Sequence, residues 1–254
     1  MVKFDHRKGR SHTIEGAEIY YEVTGNDSGP PLVLLHGGMG NIEDFNGLVA
    51  GLGDFHVIGI DARGHGKSTL GTAPLSYERL ERDLVAILEH LSIAQANILG
   101  FSDGGIVGYR FAMHHCAKID KLIAIGAPYY LSDDTAVILE SMTPDRWDKR
   151  FPETNIAYQQ HNPRPDFDAF VAASKMMWLD RSEAAYPGRG VKAIQCPTLI
   201  VRGDQDHLFS LTEAVELRTL IGNSHLLHLP EAGHAVFNDS RQMCLLGVQQ
   251  FLRA

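Results

Sequence analysis

The 254-residue chain predicts an α/β fold built on a mostly parallel, doubly wound sheet. Three observations predict it. Short Val/Ile/Leu-rich runs recur along the chain, helical patterns separate them, and turns rich in glycine or aspartate follow several of them. The first strands are the exception: residues 12–24 (HTIEGAEIYYEVT) alternate about a Gly-containing turn and read as an antiparallel hairpin. The runs Pro31–Leu35, His56–Ile60, Asn97–Phe101, Lys121–Ile125, Pro197–Arg202 and His225–Leu229 follow. Their branched apolar content suits strands buried on both faces. Helical stretches lie between them at Tyr77–Leu91, Gly104–His115, Leu211–Ile221 and Ser240–Leu252. In the first of these, Leu80, Leu84, Ile87, Leu88 and Leu91 recur at helical spacing.

Residues 129–192 break the rhythm. They contain no convincing strand, several helical segments and a series of prolines, among them Pro144, Pro152, Pro163, Pro165 and Pro187. In Phe167–Trp178 one helical stripe collects Phe167, Phe170, Val171, Ser174, Met177 and Trp178. The expected organisation is therefore a core in two parts, 1–128 and 193–254, interrupted by a helical insertion at 129–192. A helical layer with its own small core explains the pattern. The expected role is a lid over an aromatic pocket, and the two readings are compatible. Both tryptophans, Trp147 and Trp178, lie in this insertion. With Met177 they are the expected pocket residues.

Composition bounds the partners. A hydrophobic content of 44% with 21% charged residues is ordinary for a globular chain. No stretch reaches the roughly 20 apolar residues that a membrane helix needs. The formal charge of −8 disfavours nucleic acids and anionic membranes, so a small molecule is the expected partner. Cys116, Cys196 and Cys244 are scattered and odd in number. They read as reduced thiols, and with no secretion signal at the N-terminus a cytoplasmic location is expected. The several histidines show no coherent ligand spacing, so neither metal nor cofactor is expected.

The chemistry concentrates at four turns. Gly100-Phe101-Ser102-Asp103-Gly104 is a G-x-S-x-G sequence, weak alone but placed between a strand and a helix. A serine on that sharp turn has glycine neighbours to relieve crowding, and the helix N-terminus favours negative charge beside it. His36-Gly37-Gly38-Met39-Gly40 follows a strand and can present backbone N–H groups to an oxyanion, with Gly38 and Asp103 as the expected donors. His36 itself, inside the turn, reads as a structural hydrogen-bonding residue. Farther on, Gly203-Asp204-Gln205-Asp206 and Gly233-His234 each follow a strand. The resulting order of serine, acid and histidine at strand C-termini predicts Ser102 as nucleophile, His234 as base and Asp206 as the orienting acid. Asp204 competes with Asp206, which sits farther into the loop. The segment Asp61–Ser68 lacks the spacing of a phosphate loop and reads as a turn.

Together, His36-Gly37-Gly38, Asp61-Ala62-Arg63-Gly64-His65-Gly66-Lys67-Ser68, Gly100–Gly105, Gly203–Asp206 and Gly233-His234 resemble the α/β-hydrolase superfamily over essentially the whole chain. Ser102-Asp103-Gly104-Gly105-Ile106 and the insertion after Gly126-Ala127 resemble, more narrowly, the valacyclovir hydrolase (biphenyl hydrolase-like) group. That resemblance aligns the acid with Asp206 and implies that Asp103 recognises a substrate ammonium. His207 stands where proline is common in that group. The expected activity is cofactor-independent hydrolysis of small carboxylic esters. Lactones or carbon–carbon bonds are alternative substrates for the same residues, and a ligand receptor on the same scaffold is an alternative of another class.

Asp103 also has a simpler role open to it, since a carboxylate in a first helical turn gains about 0.3–1 kcal/mol from the helix dipole. At about 5–6 Å from a developing oxyanion, however, it opposes that charge by about 1–3 kcal/mol at effective dielectrics between about 80 and 20. A cationic substrate offsets this cost.

Overall fold

The computed structural model describes residues 2–254. Its strands are β1 (Arg10–Ile14), β2 (Ala17–Gly25), β3 (Pro31–Leu35), β4 (His56–Ile60), β5 (Ala96–Phe101), β6 (Ile119–Ile125), β7 (Thr198–Gly203) and β8 (Ser224–Leu229). They form a single sheet in the order β1-β2-β4-β3-β5-β6-β7-β8. The β1–β2 pair is antiparallel and every pair from β4–β3 onward is parallel, as the sequence pattern predicts; β2 also pairs antiparallel with β4. From β3 the chain first moves outward to β4 and then returns to place β5 on the opposite side of β3. Strand order therefore reverses between β3 and β5, the position at which open α/β sheets leave a crevice at their carboxyl ends.

The helices are α1 (Asn46–Val49), α2 (Tyr77–His90), α3 (Asp103–His114), α4 (Asp133–Glu140), α5 (Pro144–Arg150), α6 (Pro152–His161), α7 (Phe167–Leu179), α8 (Leu211–Leu220), α9 (Val236–Asp239) and α10 (Arg241–Arg253). Alternate residues of the inner strands serve opposite faces. Val33, Leu35, Ile58 and Ile98 join α2, α3 and α8 in one core, whereas Leu32, Leu34, Val57 and Leu99 join α1 and α10 in the other. Burial on both faces explains why these strands read as continuous apolar runs. Strand β8 departs from the expectation. It is the sheet edge, and four of its six residues keep partial or full exposure.

The insertion between β6 and β7 contributes α4 to α7 and a 3-10 segment, Gly188–Ala193, with no strand. Its helices start where local chemistry dictates. Ser132, Thr143 and Asp166 accept hydrogen bonds from the first-turn N–H groups of α4, α5 and α7, and Pro144 and Pro152 open α5 and α6. The α7 stripe buries Phe167, Phe170, Val171, Ser174, Met177 and Trp178. At the end of α6, the Asn162 amide donates to the carbonyls of Ser68 (2.9 Å), Gly66 (3.2 Å) and Gly64 (3.3 Å), fastening the insertion to the loop after β4.

Close approach of α3 to the sheet depends on glycine. A Cβ at Gly104 would collide with the backbone carbonyl of Leu35, whereas one at Gly222 meets nothing within 4 Å. Gly104→Ala is therefore expected to lower the unfolding free energy by about 2–3 kcal/mol, and Gly222→Ala to stay within about 0.5 kcal/mol of wild type. Urea-denaturation midpoints measure both. Equal shifts for the two variants contradict the packing argument.

Candidate active site

The carboxyl ends of β3, β5, β7 and β8 carry the four turns singled out in the sequence. Ser102 lies between β5 and α3 with φ 50° and ψ −116°, a left-handed conformation unusual for a residue with a side chain. The turn closes because Ser102 N–H donates to Ile125 O (2.8 Å) and Gly104 N–H to His36 O (3.1 Å). Gly100 and Gly104 meet so closely that a Cβ on Gly100 would strike the Gly104 backbone.

Ser102 Oγ lies 3.0 Å from His234 Nε2. On the other side of the ring, His234 Nδ1 lies 3.0 Å from each Asp206 carboxylate oxygen. Asp206 is buried and held in place, its Oδ1 accepting from the N–H groups of Leu208 (2.9 Å) and Phe209 (3.1 Å). Asp204, by contrast, is exposed. The loop therefore brings Asp206 to the imidazole and points Asp204 to solvent. With the ring proton on Nδ1 donated to Asp206, Nε2 is free to accept from the serine hydroxyl.

The glycine turn after β3 is braced from below. His36 donates from Nδ1 to Gly37 O (2.8 Å) and accepts the Ala62 N–H at Nε2 (2.9 Å), so it is bound up in the turn. His65 accepts the Met39 N–H at Nε2 (3.0 Å) and donates from Nδ1 to Arg63 O (3.0 Å). Asp61 accepts from Ile42 and Lys67 N–H, which makes the Asp61–Ser68 segment a structural brace. Neighbouring N–H groups are thus engaged: Met39 with His65, Gly40 with Gly37 O, Gly104 with His36 O and Gly105 with Ser102 O. Gly38 and Asp103 immediately precede these two pairs, and both line the cavity beside Ser102. A side chain at Gly38 has no room, because its Cβ would lie 2.7 Å from both Asp103 Oδ2 and Trp178 Cζ2.

The Asp103 carboxylate is buried, accepting from Tyr77 OH at Oδ1 (2.8 Å) and from Trp178 Nε1 at Oδ2 (2.8 Å). Burial pushes its pKa above the usual aspartate value, while the hydrogen bonds from Trp178 and Tyr77 pull the other way. Both donors are neutral. Tyr186 extends the cluster, donating to Trp178 O (3.0 Å) and packing edge-on against Tyr77.

The cavity measures about 680 Å³. Trp147 and Trp178 line it, stacked at a centroid distance of 5.9 Å. Met177 does not; it is buried in the core at 1% exposure, because its direction on α7 is that of Phe170, about 100° around the helix from Trp178. Sequence reasoning missed Tyr77, Tyr186 and His207 in the wall. Tyr77 stands at a helix start beside a Ser76 cap, and nothing in its local pattern announces a hydrogen bond to a residue 26 positions away.

Comparison with known proteins matches residues 30–174 and 135–240 to the α/β-hydrolase fold family. The chain belongs to that family, and its class is that of a hydrolase enzyme. It is 27% identical over 235 residues to the human serine hydrolase BPHL, covering 87% of this chain and 78% of that protein. It is 26% identical over 263 residues to the AB hydrolase superfamily protein YisY of Bacillus subtilis, covering 94% and 97%. A hydrolase from Pseudomonas aeruginosa PA01 superposes with a TM-score of 0.80 at 23% identity, over 98% of this chain and 100% of that one, which shows the shared fold. Among the described residues no helix is long and apolar enough to cross a membrane.

The bracing histidines generate a pH prediction. Burial, with a further contribution from His36, pushes the His65 pKa down from 6.5 to about 3. The unfolded chain then takes up the proton first. The stability that neutral His65 confers is complete above pH 6.5 and is lost as pH falls toward 3. In an NMR titration the His65 ring is expected to remain neutral at about pH 5, where an ordinary imidazole is mostly charged. A His65 midpoint near the ordinary value rejects the neutral, doubly hydrogen-bonded ring.

Proposed function

We propose that this chain is a serine hydrolase that cleaves small carboxylic esters through Ser102, His234 and Asp206. The observation that carries the proposal is the continuous contact from Ser102 Oγ to His234 Nε2 and from His234 Nδ1 to Asp206, 3.0 Å at each step. In the first half-reaction Ser102 Oγ attacks the ester carbonyl carbon as His234 takes its proton, and Asp206 steadies the imidazolium. The oxyanion is received by the N–H groups of Gly38 and Asp103. The tetrahedral adduct collapses, and the departing alcohol takes the proton from His234. Water then attacks the acyl-enzyme with His234 again as base, which releases the carboxylic acid and restores Ser102. The likeness to a relative named a serine hydrolase supports this reading.

Ser102→Ala is expected to remove both ester turnover and covalent labelling by a fluorophosphonate, with the fold intact by circular dichroism. Labelling that persists at another residue sinks the assignment.

A finer reading concerns Asp103. Its carboxylate is buried beside the serine, lines the cavity and is held only by the neutral donors Tyr77 and Trp178. A substrate ammonium supplies the missing countercharge, which makes α-amino esters the favoured substrates. Asp103→Asn is then expected to lower kcat/KM for α-amino esters by about tenfold or more, consistent with about 1–3 kcal/mol of charge interaction, and to spare matched neutral esters. Equal losses on the two substrate series show that the side chain only supports the turn.

A further inference from the structure

A second group of chemically competent side chains lies apart from Ser102, with two of its three members in the wall of the same cavity. His6 precedes β1, Glu43 lies in the 3-10 turn Ile42–Phe45, and His161 ends α6. Each offers one donor atom, and the three atoms lie within 4.8 Å of one another. Glu43 and His161 both line the cavity, so an ion can reach them from solvent. Two imidazoles and one carboxylate suit zinc and its neighbours, whereas calcium and magnesium call for oxygen donors.

The surroundings have the order expected around a ligand. His6 Nε2 lies 2.8 Å from Asp61 Oδ2, and Asp61 is fixed in turn by the N–H groups of Ile42 and Lys67. A carboxylate behind an imidazole sets the tautomer and aims the other nitrogen forward, as outer carboxylates do at histidine metal sites. Here the forward atom is His6 Nδ1, 2.6 Å from Glu43 Oε1, while His161 Nε2 lies 3.8 Å from the same oxygen. Donors on one tetrahedral ion with bonds of about 2.0–2.1 Å stand about 3.3 Å apart. Coordination therefore requires the Glu43 side chain, which is 36% exposed, to swing so that the first separation lengthens and the second shortens. The rings of His6 and His161 stack at 4.2 Å, so the His161 ring, 24% exposed, turns out of the stack to bring its Nε2 lone pair onto the ion. Lys67 adds one positive charge by donating to the His6 carbonyl, against the two carboxylates Glu43 and Asp61.

We propose that His6, Glu43 and His161 bind a zinc-class divalent cation, with Asp61 orienting His6 from behind and cavity water completing the shell. The ion replaces the proton between His6 Nδ1 and Glu43, and that proton passes to solvent. Its binding joins the segment before β1 and the turn after β3 to the end of α6, clamping the insertion onto the core where Asn162 already holds it. The site does not depend on the role assigned to Ser102.

Calorimetric titration of the metal-free full chain with Zn²⁺, and with Co²⁺ followed by its visible absorption, tests the site. Wild type is expected to take up one equivalent, and His161→Gln and Glu43→Gln each to weaken it by at least about tenfold and to abolish the ordered Co²⁺ spectrum. Both substitutions fall on partly exposed side chains, and thermal melts verify folding. The double variant His114→Gln/His115→Gln, outside the cluster, is expected to bind as wild type does. Wild type taking up no equivalent, His161→Gln binding with unchanged affinity, or loss of binding in the double variant overturns the proposal.

Discussion

The left-handed backbone of Ser102 is the constraint on which the site depends. Conformations of this kind cost about 1–3 kcal/mol and survive only where the surroundings over-determine them. Here the surroundings are explicit. Ser102 N–H is tied to Ile125 O, Gly104 N–H is tied to His36 O, and Gly100 and Gly104 let strand and helix touch without side chains between them. The first bond ties the end of β5 to β6 and the second ties the start of α3 to the end of β3, at the point where strand order reverses. The stability of two hydrophobic cores thereby offsets a local strain that holds a hydroxyl clear of its own helix and 3.0 Å from an imidazole.

Much of this architecture is legible in the sequence because each inner strand is buried on both faces, which writes a continuous apolar run. The β3 and β4 ranges coincide residue for residue with the expected runs, and the others differ by one or two positions at their ends. The α7 stripe is legible for the same reason, since its buried residues all recur at helical spacing. Edge exposure of β8 is not legible, because Leu226 and Leu227 are apolar whether or not a further strand covers them. The four turns of the site are legible as glycine and acid punctuation after strands. The cavity wall is not. Tyr77, Tyr186 and His207 come from separate segments, and only the tertiary fold brings them together. Met177 shows the converse limit: a stripe on a helix says which residues are buried but not which of them border a void.

Asp103 connects these levels. Its backbone belongs to the Ser102 turn, its Oδ1 is held by Tyr77 from α2, and its Oδ2 is held by Trp178 from the inserted α7. A buried carboxylate with only neutral donors is costly to keep charged, and each lost donor raises that cost. The insertion therefore does more than cover the cavity. By donating one of the two bonds that the carboxylate receives, it helps to set the charge state of the residue beside the serine.

That coupling has a direction. Trp178 packs against the position of Gly38 and stacks on Trp147, so any displacement of α7 withdraws a donor from Asp103 and opens the space above Gly38 together. Both residues proposed to receive the oxyanion are thus in contact with one helix of the insertion. Asn162 fixes the start of the segment that leads into α7, with three carbonyls of the loop after β4 as acceptors. The geometry around the serine then follows from how the insertion is anchored, as well as from the strained turn itself. Substitutions in the insertion are consequently able to alter the chemistry proposed for Ser102 without touching Ser102, Asp206 or His234.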